Sequence, residues 1–103
     1  MSFTEFLKHH PKPILFGGAI GTELQRRGVK TRLPLWSGEA NDSHPDLVRE
    51  IHEDYIRSGL NCVIANTFRT NNYSYQQIEH EVDYTTQELS NNALRIMHEA
   101  IEN

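Results

Sequence analysis

The residues with the most chemical potential lie in two short stretches. In the first, Gly17, Gly18 and Gly21 follow the apolar run Ile14-Leu15-Phe16. A loop so poor in side chains lets backbone N–H groups point at an anionic ligand, helped by the start of the helix that follows. The plain alternative is a tight turn that needs glycine for its own geometry. No Gly-Lys-Ser/Thr follows, so the loop is not a P-loop, and the six-residue glycine spacing of a dinucleotide fingerprint is not met. Phosphate is the weaker version of the ligand reading; a carboxylate stays open. In the second stretch, Asn66, Thr67 and Phe68 come directly after the apolar run Cys62-Val63-Ile64-Ala65. Helix capping and core packing are the plain alternatives there.

The other reactive residue types say less. Three of the six histidines begin a His-Glu pair, His52, His80 and His98, but none completes His-Glu-x-x-His. His52 and His98 are expected on solvated helix faces, and no metal site is expected from the histidines. Cys62, the one cysteine, opens an apolar run and reads as a small core hydrophobe rather than a nucleophile. Trp36 sits in an irregular segment, either as a plug beneath the loop or as an apolar wall of a pocket.

Length and composition bound the answer. The chain has 103 residues, enough for one small domain with a modest core. Net charge is −4, with 23% charged residues. That mild acidity leaves no electrostatic footprint for nucleic acid or for an anionic membrane surface. A lone thiol fits a reducing compartment. The N-terminal residues lack the apolar core of a signal peptide, and no window is apolar enough to span a bilayer, so a cytoplasmic location is expected. The sequons at Asn41 and Asn72 read as chance matches.

Certain elements must position these residues. Residues 1–12 form a polar lead-in with a helical turn around Phe3, Phe6 and Leu7. Residues 14–16 and 62–65 read as short strands buried on both faces. Residues 22–27 form a short helix that Gly28 stops. The segment 29–43 reads as irregular. A long helix follows, capped by Ser43 or His44, with Pro45 in its first turn and Gly59 as its stop. Leu47, Val48, Ile51, Tyr55 and Ile56 give it one apolar face. A turn of helix is expected near 73–78. The last helix opens with a capping box, Thr85 with Glu88, and repeats Leu89, Ala93, Ile96, Met97, Ala100 and Ile101 on one side. Two buried strands joined through a helix make a parallel βαβ unit, whose post-strand loops leave at the same sheet edge. The glycine loop and Asn66-Thr67-Phe68 are therefore expected to be neighbours, at the edge where parallel α/β proteins bind ligands.

Three blocks together, residues 17–28, 35–59 and 61–71, resemble in order and spacing the N-terminal part of the homocysteine S-methyltransferase family. The resemblance covers roughly residues 13–102. It implies an α/β fold: a partial (β/α)8 TIM barrel, about two βα units with parallel strands over 13–103. It implies methyl transfer from an activated donor to homocysteine, held as a thiolate by a zinc bound to three cysteines, giving methionine. By position, Gly18 and Ala19 would cradle the amino-acid end of homocysteine, Asn66, Thr67 and Phe68 would add to that pocket, and Trp36 would line the methyl-donor side. Gly17 stands where the family's loop usually has an aspartate. Cys62 matches none of the zinc cysteines, so neither a metal ligand nor a catalytic residue is assigned, and no zinc is expected on this chain alone. Two strands cannot close a barrel, so the isolated chain is expected to be an inactive fragment that either self-associates or folds poorly by itself. The alternatives are a non-catalytic, self-assembling α/β module and a small anion- or nucleotide-binding domain.

Overall fold

The computed structural model describes residues 2–102. Among the described residues seven helical elements follow one another: α1 (Phe3–His9), α2 (Gly21–Arg26), a 3-10 turn (Ser37–Glu39), α3 (Ala40–Ser43), α4 (Pro45–Arg57), α5 (Asn72–Gln76) and α6 (Thr86–Glu102). The segment expected to be irregular, 29–43, thus winds into a turn and a short helix in its second half.

Helix α4 forms because apolar residues recur along one side of it and its ends are well marked. Pro45 occupies the first turn, where its missing N–H is no loss. The expected side-chain cap is not made: Ser43 Oγ bonds the Glu39 carbonyl and the His44 ring instead. Beyond Ser58, Gly59 turns left-handed at φ +107° and donates its N–H to Ile56 O at 3.0 Å, which ends the helix. Gly28 does the same after α2, at φ +94°. Helix α6 begins on the expected pair: Glu88 N–H donates to Thr85 Oγ1 at 3.1 Å, and the Thr85 hydroxyl donates to the Glu88 carboxylate at 3.2 Å.

The main core lies where α2, α3, α4 and α6 meet. Leu24, Ala40, Val48, Ile51 and Ile96 are buried together, with Ile20, Val29, Leu47 and Tyr55 packed around them. Each large apolar side chain buried there contributes about 1.5–3 kcal/mol against exposure. A second cluster, Leu35, Tyr84 and Leu89, is covered by Tyr75, Ile78 and Val82. Arg27 ties α2 to α4, reaching Glu23 at 3.0 Å and Asp54 at 2.8 Å. Arg26 and then Arg27 hold the Glu23 carboxyl down to about 2.

Several expectations are corrected. His52 is buried, only 1% exposed, because it sits one turn after Val48 on the stripe that α4 turns inward. His98 is exposed as expected, Cys62 is half-buried rather than core, and Ile101 lies outside the buried stripe of α6. The two apolar runs are not buried on both faces. Leu15, Phe16 and Ile64 are 51%, 56% and 54% exposed. The runs meet through a single parallel bridge, Phe16 to Cys62, and no ladder extends from it among the described residues. One bridge supplies no sheet face for those side chains to pack beneath. No helix among the described residues is long and apolar enough to cross a membrane.

Candidate functional site

The parallel bridge does position the site. Leu15 N–H donates to Asn61 Oδ1 at 3.0 Å, and Leu15 O accepts from the N–H groups of Asn61 and Cys62 at 2.9 and 3.1 Å. The two segments run side by side in one direction, so the loops that follow them leave at the same end. There they share a cleft of about 280 Å³. Gly18, Ala19, Trp36, Asn66 and Phe68, five of the six residues expected to contact substrate, line it. Thr67 is exposed and is not among the lining residues. Ile20, Gly21, Thr22, Ser37, Ile64 and Ala65 complete the walls, and among the described residues no lining side chain carries a charge.

The glycines have partners inside the protein. A Cβ at Gly18 would lie 2.6–2.7 Å from the Tyr55 ring and hydroxyl, and one at Gly21 would lie 2.4 Å from Trp36 Nε1. A Cβ at Gly17 would approach Ile64 N at 3.3 Å. Tyr55 and Trp36 are therefore what comes close to this backbone from within, whatever a ligand adds from outside. Gly18 and Ala19 remain exposed on the cleft side.

Trp36 holds a conformation that bulky residues rarely adopt, φ 54° and ψ −121°. Such a backbone costs about 1–3 kcal/mol and persists only where its surroundings enforce it. Here Trp36 N–H donates to Arg32 O at 2.8 Å, and the indole is seated against Gly21. Phe68 is 81% exposed, with the Arg69 guanidinium 5.6 Å from its ring centroid. It is a rim residue, not a core one.

Asn66 is held by hydrogen bonds to both ends of its side-chain amide. Its Nδ2 donates to Ser37 O at 2.8 Å and to Asn41 Oδ1 at 3.0 Å, while Oδ1 accepts from the Ser37 hydroxyl at 2.9 Å. Both amide protons are spent on the protein. Asn41, which the sequence marked only as a chance sequon, is 0% exposed and closes the network by donating to Asn66 O and Leu89 O at 2.9 and 3.2 Å. The signal for Asn41 was its place in the block that follows Trp36; its partners are too distant along the chain to read.

A second, more open cleft of about 510 Å³ lies between 39–43 and 80–84. Its Glu39 accepts from the Tyr84 hydroxyl at 2.7 Å and pairs with Arg32 at 3.3 Å. Burial, and then Asp83, Glu88 and Glu39, raise the Asp42 carboxyl above its ordinary range. Among the described residues no group of three or more His, Cys, Asp or Glu side chains converges so as to hold a metal ion. Cys62, half-buried beside Phe16, does not fit a three-thiolate zinc site.

Comparison with known proteins adds to this geometry. Residues 14–103 match the sequence profile of the family described as homocysteine S-methyltransferase. The chain is 36% identical over 66 residues to the selenocysteine methyltransferase of Astragalus bisulcatus, covering 64% of this chain and 20% of that one. It is 39% identical over 56 residues to the homocysteine S-methyltransferase of Escherichia coli, covering 54% and 18%. Homocysteine S-methyltransferase 2 of Saccharomyces cerevisiae aligns more fully, 28% identical over 101 residues, covering 87% and 30%. The chain thus spans between 18% and 30% of the length of these relatives. No solved structure matches it. With a profile match that takes in both loops of the cleft, the chain belongs to the homocysteine S-methyltransferase family.

Proposed function

We propose that this chain forms the amino-acid wall of a homocysteine S-methyltransferase, an enzyme that moves a methyl group from an activated donor to the sulfur of homocysteine. The observation that carries the proposal is the meeting of Gly18 and Ala19 with Asn66 and Phe68 in one uncharged cleft, within the segment that matches the family. In that reaction a new S–CH₃ bond forms as the bond from methyl to donor breaks, and the electron pair leaves with the donor. The sulfur attacks best as a thiolate. The part assigned to this chain is earlier: to seat the amino acid. An uncharged wall suits it, because backbone dipoles and the exposed Thr22 hydroxyl can meet the substrate's polar end without a competing ion pair. The fold we propose is two βα units of a (β/α)8 barrel, a reading supported by the parallel Phe16–Cys62 bridge and by loops that share one end.

By itself the chain is proposed to bind homocysteine without transferring methyl, since it has one thiol where the implied site needs three. Calorimetric titration with L-homocysteine tests this, with L-serine as control. Saturable binding that weakens in Phe68→Ala is the expected result. A folded protein that shows no saturable heat would overturn it.

A second reading, a self-assembling α/β module, is favoured by the exposure of Leu15, Phe16 and Ile64 on either side of the bridge. Light scattering across a concentration series distinguishes it: growth in mass with concentration supports the module, and a constant monomer removes it.

A further inference from the structure

We infer that Tyr55 is the positioning residue of this cleft: its ring fills the space a side chain at residue 18 would need, and its hydroxyl holds the Ala19 carbonyl, so that α4 sets the path of the cleft's glycine wall. This inference rests on the cleft being the amino-acid pocket proposed above.

The Tyr55 hydroxyl donates to Ala19 O at 2.9 Å, across 36 residues of sequence. Its ring packs so close to Gly18 that any Cβ there would fall within 2.7 Å of three of its atoms. Tyr55 is itself anchored, since it packs against the core of Leu24, Val48 and Ile51. The wall it holds has little internal support. Residues 17–19 form no regular element, and Ile20, which precedes α2, makes no side-chain cap. A planar trans peptide has its C=O and N–H on opposite sides. Fixing Ala19 O toward α4 therefore turns the Ile20 N–H away from α4. Ala19 and Ile20 both line the cleft, so this single hydrogen bond orients a peptide group of its wall.

The test uses Tyr55→Phe, which keeps the ring and removes the hydroxyl, and Gly18→Ala, which pushes the ring off its seat. Both are read by the Ala19 carbonyl carbon shift, by backbone order parameters of residues 17–21 against those of α4 and α6, and by titration with L-homocysteine. We expect Tyr55→Phe to move the Ala19 carbonyl signal, to lower order parameters in 17–21 alone, and to weaken L-homocysteine about threefold to tenfold, the worth of one neutral hydrogen bond. Gly18→Ala should move the same carbonyl signal. An Ala19 carbonyl that ignores both substitutions overturns the inference. So does loosening spread evenly over α4 and α6, which marks a general structural role, and so does an unchanged affinity where the wild type binds. If the wild type binds no homocysteine, the proposed function fails, while the carbonyl and order-parameter readings still decide whether Tyr55 sets the wall.

Discussion

Asn66 and Asn41 bond each other twice: Asn66 Nδ2 donates to Asn41 Oδ1 at 3.0 Å, and Asn41 Nδ2 donates to Asn66 O at 2.9 Å. Both residues are buried, so neither can turn to water if its partner is lost. The pair is the rigid floor on which the residues after the second apolar run rest. Asn41→Ala strips partners from the Asn66 amide and carbonyl at once. It is expected to lower stability by about 2–4 kcal/mol, because buried polar groups left unpaired cost more than the bond itself gained. Urea unfolding followed by circular dichroism measures this. A loss below about 0.5 kcal/mol, the scale of a surface change, would show that the network does not bear on stability.

Gly21→Ala places a methyl 2.4 Å from Trp36 Nε1. The indole must move, since Gly21 is buried and fixed as the first residue of α2. The expected cost is about 1–3 kcal/mol, typical of an overpacked site. Trp36 is the one tryptophan, so its fluorescence reports the displacement directly. A red-shifted emission is expected; an unchanged spectrum would mean that the Gly21–Trp36 contact is looser than the structure shows.

His52 carries a buried Nε2 with no hydrogen-bond partner, and burial lowers its pKa below the ordinary 6.5. The sign follows. As pH falls, the unfolded chain takes the proton first, so stability is fully present above about pH 6.5 and declines as pH drops toward the folded-state value. His52→Leu removes both the orphaned nitrogen and the titration. Its thermal midpoint should be as high as the wild type's or higher, and flatter between about pH 5 and pH 8. A wild type and variant with parallel pH profiles would show that His52 does not titrate on unfolding.

Gly28 and Gly59 offer a contrast with Gly18. Both have positive φ, 94° and 107°, and a Cβ at either meets nothing within 4 Å. Alanine there is penalised by backbone conformation alone, about 1–2 kcal/mol each. The two changes should add, since the sites terminate different helices. Thermal unfolding of the single and double variants checks this, and marked non-additivity would point to a coupling absent from the structure.

The parts of the molecule that could be read in the sequence are those governed by local rules. Helices α4 and α6 announce themselves through apolar spacing, Pro45, Gly59 and the Thr85–Glu88 pair, all of which act within a turn or two. The sharing of one cleft by Gly18 and Phe68 follows from parallel chain direction, which also needs little detail. Distant partners could not be read. Nothing near Gly18 indicates that Tyr55 will lie against it, and nothing near Asn66 indicates that Ser37 and Asn41 will consume its amide. His52 misled by its polarity, although its four-residue step from Val48 put it on the inward stripe. The apolar runs misled in the opposite direction: composition signals burial, but burial needs a covering face, and Leu15 and Ile64 have none among the described residues.

The grip of Asn41 on Leu89 O joins the cleft floor to the first turn of the longest helix. A ligand that stills the residues around Asn66 should therefore quieten the start of α6 as well, and a strain applied along α6 should be felt at the cleft. The helix acts as a handle: an antibody or spectroscopic label fixed to its exposed side would sense occupancy of a cavity it never touches.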